Sequence, residues 1–97
     1  MEEQAPSINL NFGNALSSLK EGKKVARQGW NGKGMWLYLV PGSTFKVAEG
    51  RPLAAHIPVG EDVVYNPHID MKAADGSHFA WNPNQLDMLA EDWCILD

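Results

Sequence analysis

A chain of 97 residues makes one domain, and a domain this short buries only roughly 60–65% of its unfolded surface, so its core is thin. Apolar residues are 44% and charged residues 21%, an ordinary globular balance, and a net charge of -4 argues against a general binder of DNA or RNA. The single cysteine, Cys94, excludes an intramolecular disulfide, and no apolar run approaches the ~20 residues of a membrane span.

The first ten residues, "MEEQAPSINL", are acidic and lack the apolar core of a signal peptide. Residues 1–8 are expected to form a mobile leader ahead of a single domain over 9–97, placed in the cytoplasm. From Asn11, Phe12, Ala15, Leu16 and Leu19 fall at i, i+3, i+4 and i+7, the apolar stripe of an amphipathic helix. Asn11 or Asn9 is positioned to cap its start, Gly22 to end it in the left-handed region, and Lys20, Lys23 and Lys24 gather where the helix dipole favours cations.

Two strands follow, "VARQGW" and "MWLYLV", with Asn31-Gly32 predicting a tight hairpin turn between them. The second strand is apolar on both faces: Met35, Leu37 and Leu39 on one, Trp36, Tyr38 and Val40 on the other. One helix covers one face, so the other calls for a further layer or a second subunit. Residues 41–64 are rich in Pro and Gly and read as a long, partly extended loop. A second hairpin is expected around Asp75-Gly76, then a short helix with Asn82 as N-cap and Pro83 in its first turn, then a last strand "WCIL". The fold class is α+β: a small antiparallel sheet, an N-terminal amphipathic helix, and a short C-terminal helix before the last strand.

Charge is unevenly spread. Residues 20–33 carry Lys20, Lys23, Lys24, Arg27 and Lys33 against Glu21 alone, whereas residues 65–97 carry six acids against Lys72. A local basic patch on an acidic protein suits a small anion better than a long polyanion. Catalytic signatures are missing: there is no P-loop, no G-x-S-x-G and no paired-cysteine metal motif. His68 and Asp70 share a strand face, and a hydrogen-bonded pair accounts for them. Cys94 lies in an apolar stretch and reads as a small buried hydrophobe.

Binding residues are more evident. Trp30 stands at the mouth of the first hairpin beside Arg27, Asn31 and Lys33, and Trp81 ends the second, followed by Asn82. An indole stacks on a nucleobase, arginine offers forked donors to phosphate, and glycine lets a ligand approach the backbone. Trp36 and Trp93, inside apolar strands, are expected in the core.

The segments "NFGNALSSLKEGKKVARQGWNGKGM", "PHIDMKAADG" and "QLDMLAEDW" closely resemble the small phage proteins of the Thoeris anti-defence family, second type. The resemblance covers about residues 9–40 and 65–95. It implies a sponge in the host bacterial cytoplasm that sequesters a cyclic signalling nucleotide, glycocyclic ADP-ribose, without cleaving it. It further implies a homotetramer with ligand pockets between subunits, no cofactor and no catalytic residue. Some members also bind cyclic dinucleotides of the CBASS type. Trp30 and Trp81 are then the expected base-stacking residues, with Arg27, Asn31, Tyr38, Asp70 and Asn82 chosen beside them by their chemistry. The rival readings are an enzyme that cleaves the same nucleotide through His68 and Asp70, and a structural phage protein whose tryptophans build a subunit interface.

Overall fold

The computed structural model describes residues 7–31 and 33–96. Helix α1 (Phe12–Lys20) starts at Asn11, whose side chain accepts from the Asn14 amide at 2.8 Å while Asn14 reaches back to the Asn11 amide. This reciprocal pair satisfies two of the amides that open a helix. At the other end Gly22 takes φ 88°, and the amides of Gly22 and Lys23 return to the carbonyls of Leu19 and Ser18 at 3.0 Å. Glycine is favoured there because a Cβ is strained at that φ.

After α1 come β1 (Lys24–Arg27) and β2 (Trp36–Val40), then β3 (Ser43–Lys46) and β4 (Asp62–Tyr65), β5 (His68–Lys72), β6 (His78–Ala80), helix α2 (Gln85–Leu89) and β7 (Trp93–Leu96). Five strands form one antiparallel sheet in the order β6-β5-β2-β1-β7. Its α+β architecture, with a short helix before the last strand, is that expected from the sequence. Leu10 bridges to Trp93, and the Ser7 carbonyl accepts from the Ile95 amide at 2.8 Å. Chain expected in the leader is thus attached to β7 from Ser7 onward; residues 1–6 lie outside the described residues.

Strand alternation gives the sheet two unlike faces. Val25, Leu37, Met71 and Trp93 point to one side and meet Ala15 and Leu19 of α1, and this cluster is the core. Fully burying side chains such as Trp93, Leu19, Leu37 and Val25 is worth about 1.5–3 kcal/mol for each aliphatic one. Register places Lys24, Ala26, Trp36, Tyr38, Asp70, Lys72, His78, Cys94 and Leu96 on the opposite side, where neither helix packs.

Three local expectations are corrected. Residues 41–64 are not one loop: β3 and β4 pair from Ser43↔Tyr65 to Lys46↔Asp62 and make a separate two-stranded ribbon, closed by a Lys46–Asp62 ion pair at 2.9 Å. The alternation in "STFK" and "DVVY" is too short to stand out among the prolines and glycines around it. The first hairpin has no two-residue turn, because β1 ends at Arg27 and β2 begins at Trp36; Asn31 is left-handed (φ 59°) but closes a 3-10 turn, Gln28–Trp30, and Gly32 lies outside the described residues. Helix α2 is capped by Asn84, not Asn82: its side chain accepts from Asp87 N at 2.8 Å and Asp87 returns the bond. The second hairpin does turn at Asp75-Gly76, where Asp75 Oδ1 accepts from the Ser77 hydroxyl at 2.6 Å and the Ser77 amide at 2.9 Å, and these bonds, the hydroxyl's foremost, hold its carboxyl below the ordinary range.

Candidate functional site: a tryptophan-walled pocket beside the first hairpin

The connection between β1 and β2 is built around one guanidinium. Arg27 is two residues from buried Val25 on the same strand, so it points to the core side. Its Nε donates to Asp92 Oδ1 at 2.9 Å and its Nη1 to Asp87 Oδ1 at 3.0 Å. The Asp92 bond is the chief cause of a raised Arg27 pKa, and in return holds the Asp92 carboxyl below its usual range. Arg27 was expected to face phosphate, but its fork is already engaged by two carboxylates 65 and 60 positions along the chain. It braces the site instead.

The backbone then enters the 3-10 turn. Gln28 N donates to the Asp92 carbonyl at 3.0 Å, Gly29 N to Asp92 Oδ2 at 2.8 Å, and Asn31 N to the Gln28 carbonyl at 2.9 Å. A Cβ on Gly29 would fall 2.9 Å from Asp92 Oδ2, so a hydrogen at that position is a steric requirement of the contact. The turn sets Trp30 edge-on against fully buried Trp93, with ring centroids 5.6 Å apart and planes at 78°. Such edge-to-face pairs contribute about 0.5–1.5 kcal/mol beyond the area they bury.

Trp30 is only half-buried, and it forms part of the wall of a cavity of about 460 Å³ between the hairpin connection and the helix-free sheet face. Trp36 is a second aromatic wall; Asn31 and Lys33 supply polar groups, and Cys94 and Leu96 of β7 an apolar side. The Lys24 ammonium sits 5.0 Å from the centre of the Trp36 ring. Two indoles, an amide and a cation around a space of this size suit a flat, anionic small molecule: ring faces for an aromatic group, an ammonium for phosphate. The Cys94 thiol donates to the Ala26 carbonyl at 3.3 Å, and burial foremost pushes its pKa up, which keeps it neutral and unreactive.

Of the residues singled out from the sequence, the structure brings Trp30, Asn31 and Arg27 to this cavity. Tyr38 and Asp70 are directly opposed on β2 and β5, on the same face as Trp36 but beyond the cavity wall. The Tyr38 hydroxyl is 2.7 Å from His78 Nδ1, its ring stands 5.4 Å from that of Trp36, and its pKa is raised by desolvation first and then by the Asp70 charge. Trp81 does not join Trp30 around the cavity. Its ring packs against Phe12 at 6.4 Å and Trp93 at 6.2 Å under α1, and Asn82 is exposed ahead of α2. Trp36, expected in the core, faces the cavity, whereas Trp93 is core as expected. Among the described residues, no group of three His, Cys, Asp or Glu side chains is placed to hold a metal ion.

Residues 10–96 match the model of the Thoeris anti-defense 2-like domain. The chain belongs to that family. It is also 40% identical to Thoeris anti-defense 2 of Bacillus phage SP01 over 87 residues, which is 90% of this chain and 94% of the relative. The family match runs through the β3–β4 ribbon, where the sequence carried no recognisable signature, and contains the whole pocket. The Thoeris anti-defense 2-like domain of this chain therefore includes both the Trp30 turn and the acids, Asp87 and Asp92, that hold it. Among the described residues, no helix is long and apolar enough to cross a membrane.

Proposed function

We propose that this protein is a sponge that holds a cyclic signalling nucleotide, glycocyclic ADP-ribose, intact in the pocket between Trp30 and Trp36, and so keeps the signal from its effector in the host cytoplasm. The observation that carries this reading is the cavity itself, with two indole walls and Lys33 at its edge, in a chain of a Thoeris anti-defense family. Trp30 and Trp36 offer stacking surfaces, each worth about 1–3 kcal/mol per base. With Arg27 committed to Asp87 and Asp92, the cation on the cavity wall for the diphosphate is Lys33. Asn31 reads a base or ribose edge. Tyr38 and Asp70 extend the same face and serve a larger ligand such as a cyclic dinucleotide. Trp81 and Asn82 take no part within one subunit.

No chemical step belongs to this reading. His68 Nε2 and Asp70 Oδ1 are 3.6 Å apart, outside the cavity wall, and His68 Nδ1 is turned to the Asn66 carbonyl at 3.1 Å. A neighbouring subunit of a homotetramer completes the pocket beside β7, the edge strand whose Cys94 and Leu96 form its apolar wall.

The test is to mix glycocyclic ADP-ribose with excess protein, measure the free nucleotide, then denature the protein and analyse what is released. Depletion followed by intact recovery supports the sponge. Recovery of fragments overturns it in favour of an enzyme, and no depletion overturns both.

A further inference from the structure

We propose that Asp92 is a positioning residue for the pocket: it holds the Gln28–Trp30 turn so that the Trp30 indole stands as the pocket wall. The proposal rests on the reading of that pocket as a nucleotide site. The turn has little to hold itself. It is a single 3-10 turn closed by one bond, Asn31 N to the Gln28 carbonyl, and it contains a glycine. Four bonds converge on Asp92 instead, the longest from Arg27 Nη2 to Oδ2 at 3.5 Å. Its carbonyl accepts from Gln28 N at 3.0 Å, its Oδ2 from Gly29 N at 2.8 Å, and its Oδ1 from Arg27 Nε at 2.9 Å.

Asp92 is itself held in place. Arg27 ties it to Asp87, and Asp87 in turn accepts from the Trp93 indole through its carbonyl at 3.0 Å and from the Asn84 amide, the cap of α2, through its side chain at 3.1 Å. The residue immediately before β7 thus fixes the residues immediately after β1, and the indole of Trp93 that follows it is the surface on which Trp30 rests. Asp92 is absent from the cavity wall, so it acts on a ligand only through the wall residues it holds, Arg27 and Gln28 directly and Trp30 through the turn. The low pKa of its carboxyl, set chiefly by Arg27, keeps the acceptor charged at neutral pH.

If the turn samples other arrangements without Asp92, apparent affinity falls by the fraction of molecules that keep Trp30 in place, and a turn formed one-tenth of the time weakens binding about tenfold. The experiment uses full-length protein carrying 5-fluorotryptophan. Its four tryptophan signals are assigned by single Trp→Phe variants, and glycocyclic ADP-ribose is titrated calorimetrically. Asp92→Ala should shift and broaden the Trp30 signal, leave the Trp36 and Trp81 signals in place, and weaken binding by about tenfold or more. Asp92→Asn, which keeps an oxygen for the Gly29 amide, should recover part of both effects. Gly29→Ala attacks the same contact from the other side and should reproduce them even where Asp92→Ala folds poorly. An unmoved Trp30 signal in Asp92→Asn and Gly29→Ala, or a moved signal with unchanged affinity, overturns the proposal. Should wild-type protein bind no nucleotide, the function reading fails, and the Trp30 signal alone still decides whether Asp92 sets the turn.

Discussion

Arg27→Met keeps an unbranched apolar stem and removes the charged guanidinium. In the native chain the Arg27 and Asp87 side chains are 20% and 9% exposed and meet at 3.0 Å, so the substitution strands a carboxylate that is almost out of water. Breaking a fully buried pair in this way costs about 3–5 kcal/mol. Here the cost is smaller, because Asp92 keeps 29% of its side-chain surface and Asp87 still accepts from the Asn84 amide at 3.1 Å. The expected loss at pH 7 is about 2–3 kcal/mol, or roughly 8–24 °C in Tm for a domain of this size. Acid supplies a second signature. The Asp92 carboxyl is held low chiefly by Arg27, so its contribution is present above the unfolded-state pKa and is lost as pH falls through the folded-state value. Wild-type protein should lose this stability below about pH 4, while Arg27→Met has little of it left to lose. Urea unfolding at pH 7, 5 and 3 measures both effects. A difference under about 0.5 kcal/mol at pH 7, within the range of an ordinary surface substitution, refutes the reasoning. So does a gap that stays constant down to pH 3.

Trp30→Ala should weaken binding of glycocyclic ADP-ribose about five- to 150-fold, the loss of one stacked base, while costing less stability than the roughly 3–5 kcal/mol of a buried tryptophan such as Trp93; calorimetry and urea melts on the two variants separate these. Lys33→Ala should weaken the same binding and flatten its salt dependence, read by titration at two ionic strengths, since an exposed cation acts through a screened charge. Asn84→Ala should cost about 0.5–2 kcal/mol through loss of the α2 cap, and Asn82→Ala close to nothing, in matched thermal melts. Light scattering at micromolar concentration should give a mass near four times 10.7 kDa; a value at 10.7 kDa would sink the tetramer.

Elements governed by neighbours in sequence were legible. The i, i+3, i+4, i+7 stripe found α1, and the glycine that ends it lies where the motif requires. Asp75-Gly76 marked the β5–β6 turn. Two boundaries were misplaced by a few residues. Asn82, just ahead of Pro83, was the expected cap of α2. The cap is Asn84, because Asp87 sits three residues beyond it and completes the reciprocal pair. In the first hairpin, Asn31-Gly32 promised a turn in itself, but Arg27 and Gly29 bind Asp92 first and spend the residues before Asn31 on a 3-10 turn.

The site was half legible, for reasons set by coverage and charge. Trp36 and Leu37 lie side by side in a strand apolar on both faces, and nothing in that strand says which face α1 will cover. The helix took the Leu37 side, so Trp36 was left to the pocket. Arg27 is the more instructive case. Its surroundings in sequence are basic and glycine-rich, which suggested a free phosphate ligand, and its acidic partners are 60 and 65 residues away. Yet the strand period already carried the contrary argument. Val25 is buried, Arg27 is two residues on and shares its face, and a guanidinium directed to the core side of a sheet needs a counter-charge from its own chain. The acid-rich terminal segment holds the means to supply one, Asp87 and Asp92. Its parity with buried Val25 is the physical reason that Arg27 turns to Asp87 and Asp92, while Lys33 stays on the exposed connection at the cavity wall.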